Sequence, residues 1–190
     1  MKHDLCHFSM WALKISCTKL SGMLTQKGAI TINNIETICD DIVSSHHTPI
    51  MAACKSVSAF LQSNFVIKDL SPENTELLQL LHQKLEDELS HLFLKESGII
   101  FPSVKIKVAQ HAASLLASSV LDLVLQTHTR ILQLLQKERQ ILNNYVTSYK
   151  WEAPWINIVN ELFHLETMVQ RYVHLEQSKL YPLLINPELY

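Results

Sequence analysis

An all-α fold is predicted for this chain of 190 residues by its few turn residues and by the spacing of its apolar residues. Three Gly and six Pro are sparse for a sheet protein, which needs many tight turns. Apolar residues recur three or four positions apart from Leu78 to Leu92 and from Trp155 to Leu180, which is the period of a helix. Four such segments joined by short loops favour an up-down-up-down four-helix bundle.

The positions of Gly and Pro divide the chain into an N-terminal arm and a bundle. We expect a short helical arm over residues 1–30, because Gly22 and Gly28 end that segment. The bundle then occupies residues 31–190. Its helices are predicted near residues 33–65, 72–97, 105–149 and 155–181.

Local signals set several of the predicted helix ends. The run Ser71-Pro72-Glu73 is typical of a helix start, with Ser as the N-cap and Pro at the first helical position. Pro49 should bend the first helix or divide it in two, because proline disrupts the hydrogen bonding of a helix interior. The pairs Phe101-Pro102 and Tyr181-Pro182 should end the second and fourth helices at the same end of the bundle.

The composition excludes several functional classes. Hydrophobic residues make up 47% and the formal net charge is −2, so neither disorder nor nucleic-acid binding is expected. No apolar run is long enough to span a membrane. Four cysteines form no Cys-x-x-Cys pair and no secretory signal is recognisable, so we expect a cytoplasmic protein with reduced thiols. Phosphate-loop, nucleophile-elbow and His-Glu-x-x-His motifs are missing, which argues against an enzyme of those kinds.

Polar residues interrupt the apolar stripes at positions that should face the core. They are Glu96, Glu138, Glu166 and Glu176 on three helices, with His46 and His47 on the first. A buried carboxylate is costly unless it is paired, protonated or bound to a metal. Three interpretations remain open: boundary residues that reach solvent, an internal salt-bridge network with Arg139 as its cation, or a metal site.

The remaining histidines give weaker signals. Glu88-x-x-His91 and Glu161-x-x-His164 have the Glu-x-x-His form of ferritin-like sites, but about one such match is expected by chance in this composition. His82, His111 and His128 fit no pattern and are expected to be surface or ordinary core residues.

Three stretches together resemble the hemerythrin-like di-iron proteins, specifically the family that repairs iron–sulfur centres after nitrosative or oxidative stress. The first runs from Ile35 to the pair His46-His47, the second from Leu85 to Phe101-Pro102 through Lys95-Glu96, and the third from His174 through Glu176 to Tyr181-Pro182. The resemblance covers residues 33–183. It implies a hemerythrin-like four-helix bundle and a cofactor of non-haem iron.

The resemblance also implies a ligand set, which this sequence matches only in part. His47, Glu96 and Glu176 occupy family ligand positions, whereas three expected histidines read Leu92, Arg139 and Tyr172. His46, His91 and His174 are the further candidate ligands, the first two if a local helix distortion recruits them. The cofactor could be a di-iron centre, a single metal ion, or none.

Two functional hypotheses follow. The first is a divergent relative of the iron–sulfur cluster repair family in which metal binding is reduced or lost. The second is a metal-free bundle that acts as a partner-binding or regulatory protein, with a protein partner or a second copy of itself. In the second case Arg139 would supply the missing positive charge to Glu96, Glu176 and Glu138, and Tyr172 would donate its hydroxyl to one of those carboxylates.

Overall fold

The computed structural model describes residues 35–63 and 70–185, and these residues form four long helical rods. The arm predicted for residues 1–30 lies outside the described residues. The first rod consists of Ile35–Ile42, Val43–His47 and Thr48–Leu61. The second consists of Pro72–Lys95, Glu96–Ile100 and Phe101–Ala109. The third is Ser118–Ile141, followed by a short 3₁₀ turn at Asn143–Tyr145. The fourth consists of Ala153–Leu175, Glu176–Leu180 and Tyr181–Ile185.

The all-α prediction is confirmed, since the described residues contain helices and no strand. The second rod begins at the predicted place: the Ser71 side chain accepts a hydrogen bond from the Asn74 backbone N–H and Pro72 follows at the first helical position. Within the described part of the chain, no helix has the length and apolarity needed to cross a membrane.

Three of the four rods contain one π-helical turn each, and each turn lies in the same relation to a proline. The turns are Val43–His47, Glu96–Ile100 and Glu176–Leu180. In each case the sixth residue after the start of the turn is proline, at Pro49, Pro102 and Pro182. In an α-helix the proline ring would clash with the carbonyl four residues earlier. The wider turn, closed by hydrogen bonds between residues five apart, relieves that clash.

These turns correct the prediction that proline ends the second and fourth helices. The second rod continues through Pro102 to Ala109, and the fourth continues through Pro182 to Ile185. The third helix consequently begins at Ser118 instead of near residue 105. The break lies at residues 110–117, where His111 has a positive φ of 52°. The first rod passes Pro49 without a division.

The rods contact one another in a ring, with the first against the second and fourth and the third against the second and fourth. One end of the core is entirely apolar and is built from Val57, Leu61, Leu78, Leu142, Trp155, Ile158, Val159 and Leu162. Further along the second rod the buried positions include His82 and then Glu96. Since a helix rises 1.5 Å per residue, these two side chains start about 21 Å apart along the axis. The core therefore holds two separate polar layers.

Candidate metal centre

A buried polar cluster forms where the three π turns meet. His47 is the last residue of its turn, and Glu96 and Glu176 are the first residues of theirs. Each of the three offers one ligand atom within 4.8 Å of the others. Their side chains come from three different rods, and the two glutamates are fully buried. This arrangement brings together the three residues that match family ligand positions in the sequence.

Two tyrosine hydroxyls hold the two carboxylates. The Tyr172 hydroxyl donates to Oε2 of Glu96 at 2.7 Å. The Tyr181 hydroxyl lies 2.7 Å from Oε2 of Glu176 and 3.1 Å from Oε1 of Glu96, so it spans both carboxylates. Both rings are buried. Tyr172 was expected to donate to a carboxylate of this kind, whereas the hydroxyl of Tyr181 was not assigned a role from the sequence.

His128 also belongs to the cluster, and sequence reasoning missed it. Its Nε2 lies 3.2 Å from Oε2 of Glu176 and 3.5 Å from the Tyr172 hydroxyl. Its Nδ1 is 3.4 Å from the side-chain amide of Gln177. The signal was present, because His128 follows the buried Val124 by four residues and precedes the buried Ile131 by three. This spacing indicates burial for the histidine in the same way as for the glutamates.

Burial and mutual repulsion set the protonation of the cluster. Burial raises the pKa of Glu176 well above its usual value, and the nearby Glu96 charge raises it further. Burial lowers the pKa of His128, so its imidazole favours the neutral form. The pKa of Tyr172 is raised by burial and by the charges of Glu176 and Glu96. The carboxylates of Glu96 and Glu176 have oxygens within 4.8 Å of each other, and two buried carboxylates at this distance require either a proton or a cation between them.

Some polar atoms of the cluster have no hydrogen-bond partner within the described part of the chain. They are Oε1 of Glu176 and both ring nitrogens of His47. The His47 Nε2 is 3.0 Å from Oε2 of Glu96, but the two atoms are not aligned as a hydrogen bond. Two atoms that bind one ion at right angles, each about 2.1 Å from it, are about 3.0 Å apart. The donor set therefore fits a metal ion.

The other three predicted ligands do not meet in this cluster. His46 is partly buried, and its ring centroid lies 6.4 Å from that of Tyr172. His91 and His174 are exposed on the surfaces of the second and fourth rods. The helix distortions exist, but they orient Glu96 and Glu176 and leave these two histidines outside. The structure thus assigns His91 and His174 no part in the centre.

Arg139 has a different partner from the one expected. Its guanidinium forms a two-point ion pair with Glu166, through Nε at 3.0 Å and through a second nitrogen. Gln170 donates to the same carboxylate at 2.9 Å. Arg139 lies eleven residues beyond His128 on the third rod, which places it about 16 Å away along the axis. The expectation that Arg139 neutralises Glu96 and Glu176 is therefore corrected.

Glu138 forms the second polar layer with His82, another histidine that sequence reasoning set aside. Nδ1 of His82 lies 3.1 Å from Oε1 of Glu138, and Nε2 lies 3.0 Å from the Cys54 carbonyl, which accepts. Both side chains are buried. Burial alone lowers the pKa of His82, but its hydrogen bonds to Cys54 and Glu138 and the Glu138 charge raise it to about 10. This pair links three rods and is separate from the cluster around Glu96.

Comparison with known proteins gives distant relatives of this chain. No family model matches the sequence. The chain is similar to the iron-sulfur cluster repair protein ScdA from two strains of Staphylococcus epidermidis. In each comparison 24% of 169 residues are identical, covering 86% of this chain and 74% of the relative.

Proposed function

We propose that this protein is a divergent, hemerythrin-like relative of iron–sulfur cluster repair proteins in which metal binding is reduced to a single iron ion. The observation that carries the proposal is the convergence of His47, Glu96 and Glu176, with buried donor atoms that lack hydrogen-bond partners. The up-down-up-down order of the rods belongs to the same proposal. It is supported by the contacts of each rod with two neighbours.

The ligand count favours one ion over two. His47 supplies a nitrogen, and Glu96 and Glu176 supply carboxylate oxygens. Among the described residues, His128 is the other histidine in contact with these carboxylates. A di-iron centre of the bundle type draws on four carboxylates and two histidines. A bound iron ion would supply redox activity and a Lewis acid at this point of the core.

The surrounding residues would orient the ligands and control access. Tyr181 holds the two carboxylates in one relative orientation through its shared hydroxyl. Phe93 stacks on the His47 ring at a centroid distance of 4.0 Å, which fixes the imidazole plane. A groove of about 550 Å³ between the first and second rods is lined by His47, Lys55 and Ser97. This groove would supply an entry path from the surface to His47, which is 5% exposed.

Elemental analysis of the untagged full chain from iron-supplemented cells tests the proposal. We expect about one iron per chain in the wild type and less than about a tenth in Glu96→Gln, since a ligand charge is removed. The matched control is Glu138→Gln, which changes an equally buried carboxylate outside the cluster and should keep the iron. About two iron ions per chain would contradict the single-ion site.

A metal-free bundle that binds a protein partner is the second candidate. Its supporting observation is that the hydroxyls of Tyr172 and Tyr181 already bond three of the four carboxylate oxygens. A proton on Glu176 would then take the place of the cation. A folded wild-type protein with less than about a tenth of an iron per chain would favour this candidate.

A further inference from the structure

We propose that Tyr172 is itself a ligand of the centre and that its phenolate oxygen makes the site selective for ferric iron. This inference rests on the proposed single-ion function. It concerns a residue that stands where the sequence resemblance expects histidine.

The Tyr172 oxygen lies among the candidate ligand atoms. Tyr172 precedes Glu176 by four residues in the α-helical part of the fourth rod, so both side chains leave the same face one turn apart. Its hydroxyl is 2.7 Å from Oε2 of Glu96. The Oε2 atom of Glu96 is in turn 3.0 Å from Nε2 of His47. Both distances match the spacing of neighbouring ligands around one ion, about 3 Å.

The ring of Tyr172 is held in this orientation by aromatic neighbours on three rods. It meets Phe93 edge-on at a centroid distance of 5.2 Å, His47 at 5.5 Å and His128 at 5.6 Å, with interplanar angles between 80° and 89°. The side chain is 0% exposed. Edge-to-face contacts are favourable and directional. They leave the hydroxyl aimed at the cluster.

Charge explains why a ferric ion would suit this ligand set. Glu96 and Glu176 carry two negative charges when ionised, and a Tyr172 phenolate adds a third, which balances Fe³⁺. Coordination forms a bond between the phenolic oxygen and iron, breaks the O–H bond and releases its proton to solvent, with no change of oxidation state. Hard oxygen donors discriminate against softer metal ions. Replacing histidine by tyrosine therefore changes the preferred ion.

Tyr181 has a different part in the same cluster. Its hydroxyl is shared between Glu176 and Glu96 at 2.7 and 3.1 Å, so it positions both carboxylates. It therefore lies within hydrogen-bond distance of the two carboxylates at once, whereas the Tyr172 hydroxyl donates to Glu96. We therefore assign it as a positioning residue. The distinction between the two tyrosines is open to direct measurement.

The test uses full-length protein freed of metal, then loaded with ferric citrate and separated from unbound iron. We measure iron per chain by elemental analysis and record the visible spectrum, where a coordinated phenolate gives a charge-transfer band that carboxylate and imidazole ligands do not give. The wild type should bind iron and show the band. Tyr172→Phe should lose the band and bind iron at least about 10-fold more weakly. Tyr145→Phe, which removes a buried hydroxyl from a residue after the third rod and outside the cluster, is the matched control and should change neither readout.

The outcomes separate this inference from the function on which it rests. Iron bound without a band would overturn the tyrosine ligand and leave the single-ion site in place. No bound iron in the wild type would overturn both. A band that survives Tyr172→Phe but disappears in Tyr181→Phe would reverse the assignment of the two tyrosines. If Tyr172→Phe fails to fold, resonance Raman spectra of the loaded wild type decide, because phenolate ring vibrations must appear in them.

Discussion

The Tyr181 hydroxyl lies 2.7 Å from the carboxylate of Glu176, which precedes it by five residues in the same rod. In a regular α-helix, residues five apart are separated by about 140° around the axis and do not face each other. The π turn between them, closed by the Tyr181 backbone N–H on the Glu176 carbonyl, brings both to one face. A single helix segment thus supplies both a candidate ligand and the group that orients it.

Tyr181→Phe should lower the free energy of unfolding by about 1–3 kcal/mol, because it leaves buried carboxylate oxygens without their donor while keeping the ring. Urea denaturation of the metal-free protein measures the change. Tyr149→Phe is the matched control, since Tyr149 is 91% exposed, and it should have no measurable effect. Equal stabilities for the wild type and Tyr181→Phe would mean that water replaces the hydroxyl at no cost.

Phe101→Ala should cost about 3–5 kcal/mol, the usual range for removing a buried aromatic ring. Phe101 is 2% exposed and its ring lies 6.1 Å from that of His47. Thermal and urea denaturation report the loss. Ile99→Ala, at a position 67% exposed in the π turn that precedes Phe101, should cost far less. A loss below about 1 kcal/mol for Phe101→Ala would show that the neighbouring side chains close the space.

Arg139→Ala should destabilise the protein by about 1–2 kcal/mol, between the values for exposed and buried ion pairs. The reason is that Arg139 is partly exposed, whereas its partner Glu166 is buried and keeps the Gln170 hydrogen bond. Arg139→His should leave the iron content unchanged, because this position does not touch Glu96 or Glu176. Calorimetry and elemental analysis measure the two effects. A gain of iron in Arg139→His would restore the ligand role that the sequence resemblance implies for this position.

The stability of the protein should fall between pH 7 and pH 10 because of His82. Its folded-state pKa is about 10 against an ordinary value of 6.5, so its charged form stabilises the fold fully below pH 6.5 and progressively less toward pH 10. The groups that contact it are Glu138 on the third rod and Cys54 on the first. Burial raises the pKa of the Cys54 thiol, which extends the range over which it stays neutral.

His82→Gln should flatten that pH dependence, as measured by unfolding free energies from pH 6 to pH 10. His91→Gln, which changes an exposed histidine on the same rod, should follow the wild-type curve. Parallel curves for the wild type and His82→Gln would show that the pair does not carry the charge inferred for it.

The sequence predicted those features that depend on neighbouring residues. The start of the second rod was predicted because Ser71 and Pro72 act within one turn. The burial of Glu96 and Glu176 was predicted because helical phase depends only on spacing. The continuation of the helix through Pro102 was missed, because the usual local effect of proline is a stop, whereas here a π turn accommodates the ring.

The sequence prediction failed for a different reason at two histidines, His82 and His128. His82 and His128 lie in the apolar stripes of their helices, so their burial could have been read from phase. They were set aside because they fit no ligand-spacing motif. Their partners, Glu138 and Glu176, lie on other rods at separations of 56 and 48 residues along the chain, and such pairings arise only when the rods pack.

The prolines that follow the three π turns have a consequence for the order of events when an ion arrives. A helix that could choose between α and π geometry would have to be driven into the binding geometry by the ion. Proline removes the α alternative at each turn, so folding alone sets the positions of His47, Glu96 and Glu176. Binding then requires little conformational ordering, which favours affinity. The pocket is preorganised, and the same rigidity would preserve its shape after the ion leaves.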